Sequence, residues 1–244
     1  MSGHSKWHSI KHKKGAADAK RGKLFTRIIK ELTVAARDGG GDPDSNPRLR
    51  TVIADAKAAN MPADNIKRAI RRGTGEEPGV SYEEVTYEGY GPGGVALLLE
   101  VLTDNKNRAV GEIRHLLTKH GGNLGSSNSV AWMFDKRGHL LIEKSAADEE
   151  KLMTAAIEAG ADDFSDDNGH WEILSAPESF DAVAEAVRAL GVEPASAQVA
   201  MLPQNFVMLE GKSAQQMLKL IGALDDLDDI RHVWSNFDID DKEI

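Results

Sequence analysis

The sequence predicts an α+β chain: an N-terminal three-helix domain, then two α/β ferredoxin-like domains of the βαββαβ type, one inserted in the other. Three observations carry this. Apolar residues up to about position 72 recur at helical spacing. After Gly73-Thr74-Gly75-Glu76-Glu77-Pro78-Gly79, a linker by composition, short β-branched and aromatic runs alternate with helical stretches. The order of those stretches spells βαββαβ once within 138–202, and again when the segments on either side are joined. The expected domains are 1–78, basic and helical; 79–136 plus 204–244, α/β; and 137–203, the inserted α/β unit.

Residues 2–22 carry Trp7 and Ile10 as their only large apolar side chains and cannot form a core of their own. From Lys23 the pattern is helical. Leu24, Ile28, Leu32 and Ala35 share one face; Lys20, Lys23, Arg27 and Lys30 share another. Asp38-Gly39-Gly40-Gly41-Asp42-Pro43 stops this helix, Asn46 caps a second with Pro47 in its first turn, and that helix runs to about Ala59. A break at Asn60-Met61 precedes Pro62, which opens a third helix ending at Arg72-Gly73.

In the second half, residues 82–90 and 95–102 are expected as strands around the turn Gly91-Pro92-Gly93-Gly94, followed by a helix at 107–120 and a strand at 129–135. The inserted unit is expected as strand 138–143, helix 146–159, strands 161–164 and 170–174, helix 178–190 and strand 197–202. Strand 206–210, helix 213–224 and strand 229–237 complete the surrounding unit. Ser175-Ala176-Pro177-Glu178 and Ser213-Ala214-Gln215-Gln216 read as capping boxes for the last two helices.

The overall net charge of −9 conceals an asymmetry. Residues 1–72 hold 17 Lys and Arg against 7 Asp and Glu, a net of +10, whereas residues 73–244 carry −19. A basic segment on an acidic chain points to a polyanion partner on the basic side. No run approaches eighteen apolar residues, and residues 1–6 have neither a secretory apolar region nor a glycine at position two, so a soluble, cytoplasmic protein is expected. The absence of cysteine removes disulfides, thiolate metal sites and cysteine nucleophiles.

The candidate nucleic-acid contacts are Lys6, Lys11, Lys13, Lys14, Lys20, Arg21, Lys23 and Arg27, with Arg68, Arg71 and Arg72 as a second set. Lys and Arg gain affinity for phosphates by releasing condensed counterions, without a shaped pocket. The bland alternative is a solvated helix face, but between Met1 and Lys30 Asp18 is the sole acid. Helices two and three could form a helix-turn-helix presenting Lys67, Arg68, Arg71 and Arg72, although two helices around a tight turn are more often plain packing.

Other motifs fail on inspection. His4, His8 and His12 have helical spacing but lie among lysines that repel a divalent cation, with no carboxylate to orient a ring. Gly211-Lys212-Ser213 resembles the end of a phosphate-binding P-loop, but Phe206 occupies the required glycine position. Asp162-Asp163, Asp166-Asp167, Asp225-Asp226 and Asp228-Asp229 match no calcium-loop or zincin spacing and read as turn and surface acids. No nucleophile and base constellation is visible, which favours a non-enzyme without cofactor, metal or small-molecule substrate.

Several blocks in order resemble the YebC/PmpR family: Gly3-His4-Ser5-Lys6-Trp7, Lys20-Arg21-Gly22-Lys23-Leu24-Phe25, Asn46-Pro47-Arg48-Leu49-Arg50, Asn60-Met61-Pro62, Tyr87-Glu88-Gly89-Tyr90-Gly91-Pro92-Gly93-Gly94 and Gly121-Gly122-Asn123-Leu124-Gly125. The resemblance spans nearly the whole chain. It implies three domains, one helical and two α/β, and a regulator of gene expression that binds DNA. Some relatives in the family resemble translation factors instead, acting on the ribosome to relieve stalling on proline-rich sequences. Nucleic acid, DNA or ribosomal RNA, is therefore the expected partner, with the ribosome as an alternative assembly and no membrane. Two other classes stay open: a metal-dependent enzyme built on the Asp-rich turns, and a scaffold docking an acidic protein.

Overall fold

The computed structural model describes residues 17–167 and 169–239, with side chains from Gly22 onward. Among the described residues three helices come first: α1 (Ala17–Gly39), α2 (Pro47–Ala58) and α3 (Ala63–Thr74). Helix α1 begins at least six residues before the expected Lys23. Its apolar stripe buries Ile28, Leu32 and Ala35 as expected, but Leu24 is exposed. Asn46 caps α2: its Oδ1 accepts the Leu49 N–H at 3.0 Å while its Nδ2 donates to the carbonyls of Ala35 and Gly40, so one side chain ties the start of α2 to the end of α1.

Helices α2 and α3 each pack along α1, and contacts between the two are sparse. Val52 and Ala56 of α2 nevertheless share one core with Ile66 and Ala69 of α3. The α1–α3 crossing is close because Gly73 has no side chain; a Cβ there would lie 2.3 Å from the Thr33 carbonyl oxygen. The core joins Ile28, Leu32, Ala35, Leu49, Val52, Ala56, Met61, Ile66 and Ala69.

The surrounding α/β unit comprises β1 (Glu83–Tyr90), β2 (Ala96–Thr103), α4 (Lys106–Lys119), β3 (Asn123–Leu124), then, after the insertion, β8 (Val207–Leu209), α7 (Gly211–Asp225), β9 (Ile230–Ser235) and β10 (Phe237–Ile239). Its antiparallel sheet has the order β3-β1-β2-β9. Strand β2 is buried on both faces, which its near-continuous apolar run anticipates. Leu97, Leu99 and Val101 meet Ile113 and Leu117 of α4 and Met217 and Leu220 of α7, while Ala96 and Leu98 face a second cluster with Phe134, Ala200 and Trp234.

The strand expected at 129–135 is absent. Residues 131–133 form a 3-10 turn, and Phe134 already opens β4 (Phe134–Glu143), which runs on into the inserted unit. The place beside β2 that a βαββαβ order would give to the strand after the insertion is filled by β1, while β8 pairs in parallel with β10. Asn236 causes that diversion. Fully buried, it accepts the Ala96 N–H on Oδ1 at 2.7 Å and the Val207 N–H on its carbonyl at 2.7 Å, breaking the expected strand 229–237 into β9 and β10.

The inserted unit continues with α5 (Glu149–Glu158), β5 (Ala161–Asp167), β6 (His170–Ser175), α6 (Phe180–Ala189) and β7 (Ser196–Pro203), and its antiparallel order β5-β6-β4-β7 is that of a ferredoxin-like sheet. Leu140, Ile142 and Ile173 pack beneath Leu152 and Ala156 of α5 and Val183 and Val187 of α6. Neither expected capping box forms. Ser175 is buried at the end of β6 and Ser179 precedes α6 instead; α7 starts after Glu210, with Ser213 inside its first turn. The side-chain cap in this unit is Asp148, which accepts the Lys151 N–H at 3.1 Å.

Candidate nucleic-acid interface

The basic candidates separate into three groups. Lys6, Lys11, Lys13 and Lys14 lie outside the described residues, and Lys20 and Arg21 fall in the first turns of α1. On α3, Lys67, Arg68 and Arg72 are exposed, whereas Arg71 is half-buried in an ion pair with Glu77 at 2.7 Å. The stem of Arg72 rests over Gly79, where a Cβ would come within 3.1 Å of it. Like charges four residues apart repel on an isolated helix, and Ile66 and Ala69 buried against α1 hold α3 together regardless.

Lys23 and Arg27 have an unexpected destination. With Lys30 they form one face of α1, and all three meet the turn Asp225-Asp226-Leu227-Asp228-Asp229 that ends α7. Lys23 Nζ sits 2.9 Å from Asp226 Oδ1 and also reaches the Asp226 carbonyl. Arg27 donates to the carbonyls of Asp225 and Leu227. Lys30 Nζ is 2.5 Å from Asp229 Oδ1 and 3.0 Å from the Asp228 carbonyl. The cations thus approach the C-terminal end of α7, where unsatisfied carbonyls and the helix dipole favour positive charge.

Asp229 is the hub of this contact. Besides Lys30 it accepts Arg108 at 2.7 Å and the Thr103 hydroxyl at 2.9 Å. Burial alone would raise its pKa; the hydrogen bonds from Lys30 and Arg108 outweigh that and hold the carboxyl below the usual aspartate range. The sequence identified Asp225, Asp226, Asp228 and Asp229 as ordinary turn acids. No local pattern announces that a stripe two hundred residues earlier lies against them.

A second polar bridge runs beside the first. Glu31 on α1 pairs with Arg48 of α2 at 3.2 Å and with Arg231 of β9 at 2.7 Å, and Arg48 also pairs with Glu84 of β1. Burial would lower the Arg48 pKa, but Glu84 and Glu31 more than compensate and raise it. Glu31, Arg48 and Arg231 border a cleft of about 570 Å³ where the helical domain, β9 and the inserted unit meet, with Asp55, Phe180 and Asp181 on its walls.

The glycine-rich stretches position backbone rather than phosphate. A Cβ at Gly122 would lie 2.3 Å from the Tyr90 carbonyl oxygen, so 121–125 can pass beside β1 only without a side chain there. Glu88, buried in β1, closes the following loop by accepting the N–H groups of Asn128, Val130 and Ala131 at 2.6, 2.7 and 2.8 Å. Burial pushes its carboxyl up, yet these donors prevail and hold it below the usual glutamate range. Among the described residues no three His, Cys, Asp or Glu side chains converge on a metal-sized site, and no helix is long and apolar enough to cross a membrane.

Comparison with known proteins matches residues 5–76 to the TACO1/YebC protein N-terminal domain and residues 82–237 to the TACO1/YebC second and third domain. A probable transcriptional regulatory protein of Acidobacterium capsulatum is 61% identical over 243 residues, covering 100% of this chain and 98% of the relative. One of Geobacter sulfurreducens is 57% identical with the same coverage. The crystal structure of a conserved hypothetical protein from Aquifex aeolicus superposes with a TM-score of 0.85 at 46% identity, covering 95% of this chain and 96% of that one.

Proposed function

Because the chain belongs to the TACO1/YebC family, we propose that it is a non-enzymatic regulator of gene expression that binds DNA through its helical domain. The observation that carries the reading is the exposed cationic edge of α3, Lys67, Arg68 and Arg72, within residues 1–72, whose net charge is +10 against −19 for residues 73–244. Phosphate-directed binding needs such a surface and no pocket. In this reading Lys6, Lys11, Lys13, Lys14, Lys20 and Arg21 add phosphate contacts to those of α3. The acidic half turns the molecule so that the basic domain faces the polyanion. Relatives that bear the name of transcriptional regulatory proteins support the regulator role.

Fluorescence anisotropy with a mixed-sequence 30-base-pair DNA duplex, titrated across salt, tests this. Binding whose logarithmic affinity falls linearly with logarithmic salt is expected, weakened by Arg68→Gln with Arg72→Gln. Sucrose-gradient fractionation of lysate with and without DNase locates the target in cells. A shift on DNase treatment supports DNA; co-sedimentation with ribosomes that survives DNase and is lost at high salt overturns DNA in favour of the translation machinery.

A further inference from the structure

We propose that the turn Asp225–Asp229 is an internal competitor for polyanions, covering Lys23 and Arg27 until phosphates displace it. The inference rests on the reading that the helical domain binds nucleic acid, and names how one part of that surface is regulated. What α1 meets at this turn is the chemistry a phosphate backbone offers. A carboxylate and three carbonyl oxygens, those of Asp225, Asp226 and Leu227, are set along one helix face against two cations one turn apart.

The contact is graded along the helix. At its outer end the side chains of Lys23 and Asp226 are 42% and 74% exposed, so water and salt screen the pair and exchange of partners is cheap. At its inner end Lys30 and Asp229 are 8% and 7% exposed, and separating them strands two buried charges. The turn can therefore release Lys23, and Arg27 after it, while Lys30 keeps α1 seated on the α/β unit. Displacement needs a dense array of negative charge, so the device favours a nucleic-acid backbone over isolated anions.

The test is the duplex anisotropy titration on the full chain, comparing wild type with Asp226→Asn and Asp226→Ser, and with Glu149→Gln as a one-charge control on α5. Both Asp226 variants should bind three- to tenfold more tightly at low salt, with a steeper salt dependence as Lys23 becomes available to phosphate. Adding Lys23→Gln to Asp226→Asn should abolish the gain. Unchanged affinity in both Asp226 variants, against a wild type that binds, overturns the competitor while leaving DNA binding intact. An equal gain in Glu149→Gln also overturns it, since any lost acid then suffices. Absence of salt-dependent binding in every variant overturns the functional reading itself. Thermal melts of the Asp226 variants should match wild type, because Asp229 is untouched.

Discussion

Lys30 and Asp229, 199 positions apart in sequence, form a buried ion pair at 2.5 Å that fastens helix α1 to the turn after α7. Asp229 also holds Arg108 and Thr103, so the pair sits in a small network that engages both carboxylate oxygens. Removing one partner of such a pair leaves the other charged and buried, which costs more than the pair contributes.

Asp229→Asn should therefore destabilise the chain by about 3–5 kcal/mol, measured by urea unfolding at pH 7. A carboxyl whose folded pKa lies below its unfolded value stabilises the fold at and above the ordinary aspartate range, and that contribution is lost as pH falls through the folded value. Wild-type stability should accordingly decline below about pH 4. In the variant this part of the acid dependence disappears, and an unchanged acid limb would show that Asp229 is not the group concerned.

Glu88→Gln keeps the shape of the side chain but removes the charge that three backbone N–H groups of residues 128–131 share. Hydrogen bonds to charged groups are stronger than neutral ones, so a loss of about 2–3 kcal/mol is expected. Hydrogen exchange should locate the loss, with faster exchange at Val130 and Ala131. Undiminished protection there would refute the assignment.

Gly73→Ala places a methyl group 2.3 Å from the Thr33 carbonyl and 2.8 Å from the Ala36 Cβ. Alanine is otherwise the better helix former, so propensity alone predicts stabilisation by about 1 kcal/mol. Overpacking at the α1–α3 crossing should reverse the sign, with a net destabilisation of about 1–3 kcal/mol in the melting of the helical domain.

Arg68→Gln with Arg72→Gln should reduce the slope of logarithmic DNA affinity against logarithmic salt by roughly 1.8, the effect of two phosphate contacts. Both side chains are exposed on α3. Stability should stay within about 0.5 kcal/mol of wild type, and an unchanged salt slope would remove α3 from the interface.

Much of the fold is written locally in the sequence. Asn46-Pro47 fixes the start of α2 through a side-chain cap and a preset φ, and the two-faced burial of β2 is visible as Ala96-Leu97-Leu98-Leu99. The ferredoxin order of the inserted unit follows from its run of strands and helices. Where reading fails, the determinants are distant. Ser175 has the spacing of a capping box, but burial in β6 claims it first. Lys23 and Arg27 look like free phosphate ligands because the carboxylate and carbonyls that meet them lie some two hundred residues later in the chain. Glu88 looks like an ordinary strand-surface residue; the glycine-rich stretch after α4 is the nearest hint that a loop must be folded back onto it.

The pairing of β4 with β7 also bears on how the chain folds. Their register runs from Phe134 opposite Pro203 to Leu141 opposite Ser196, and just outside it the Gln204 N–H meets the Met133 carbonyl at 2.9 Å. Once residues 134–203 have folded on their own local contacts, the surrounding unit no longer has to close a loop of that length to bring α7 and β9 onto β2. It closes the equivalent of a hairpin turn. Loop entropy grows only slowly with length, but the search for long-range partners is what slows folding of β-rich chains. Nesting one unit inside another thus lets a high-contact-order assembly be divided into two shorter searches.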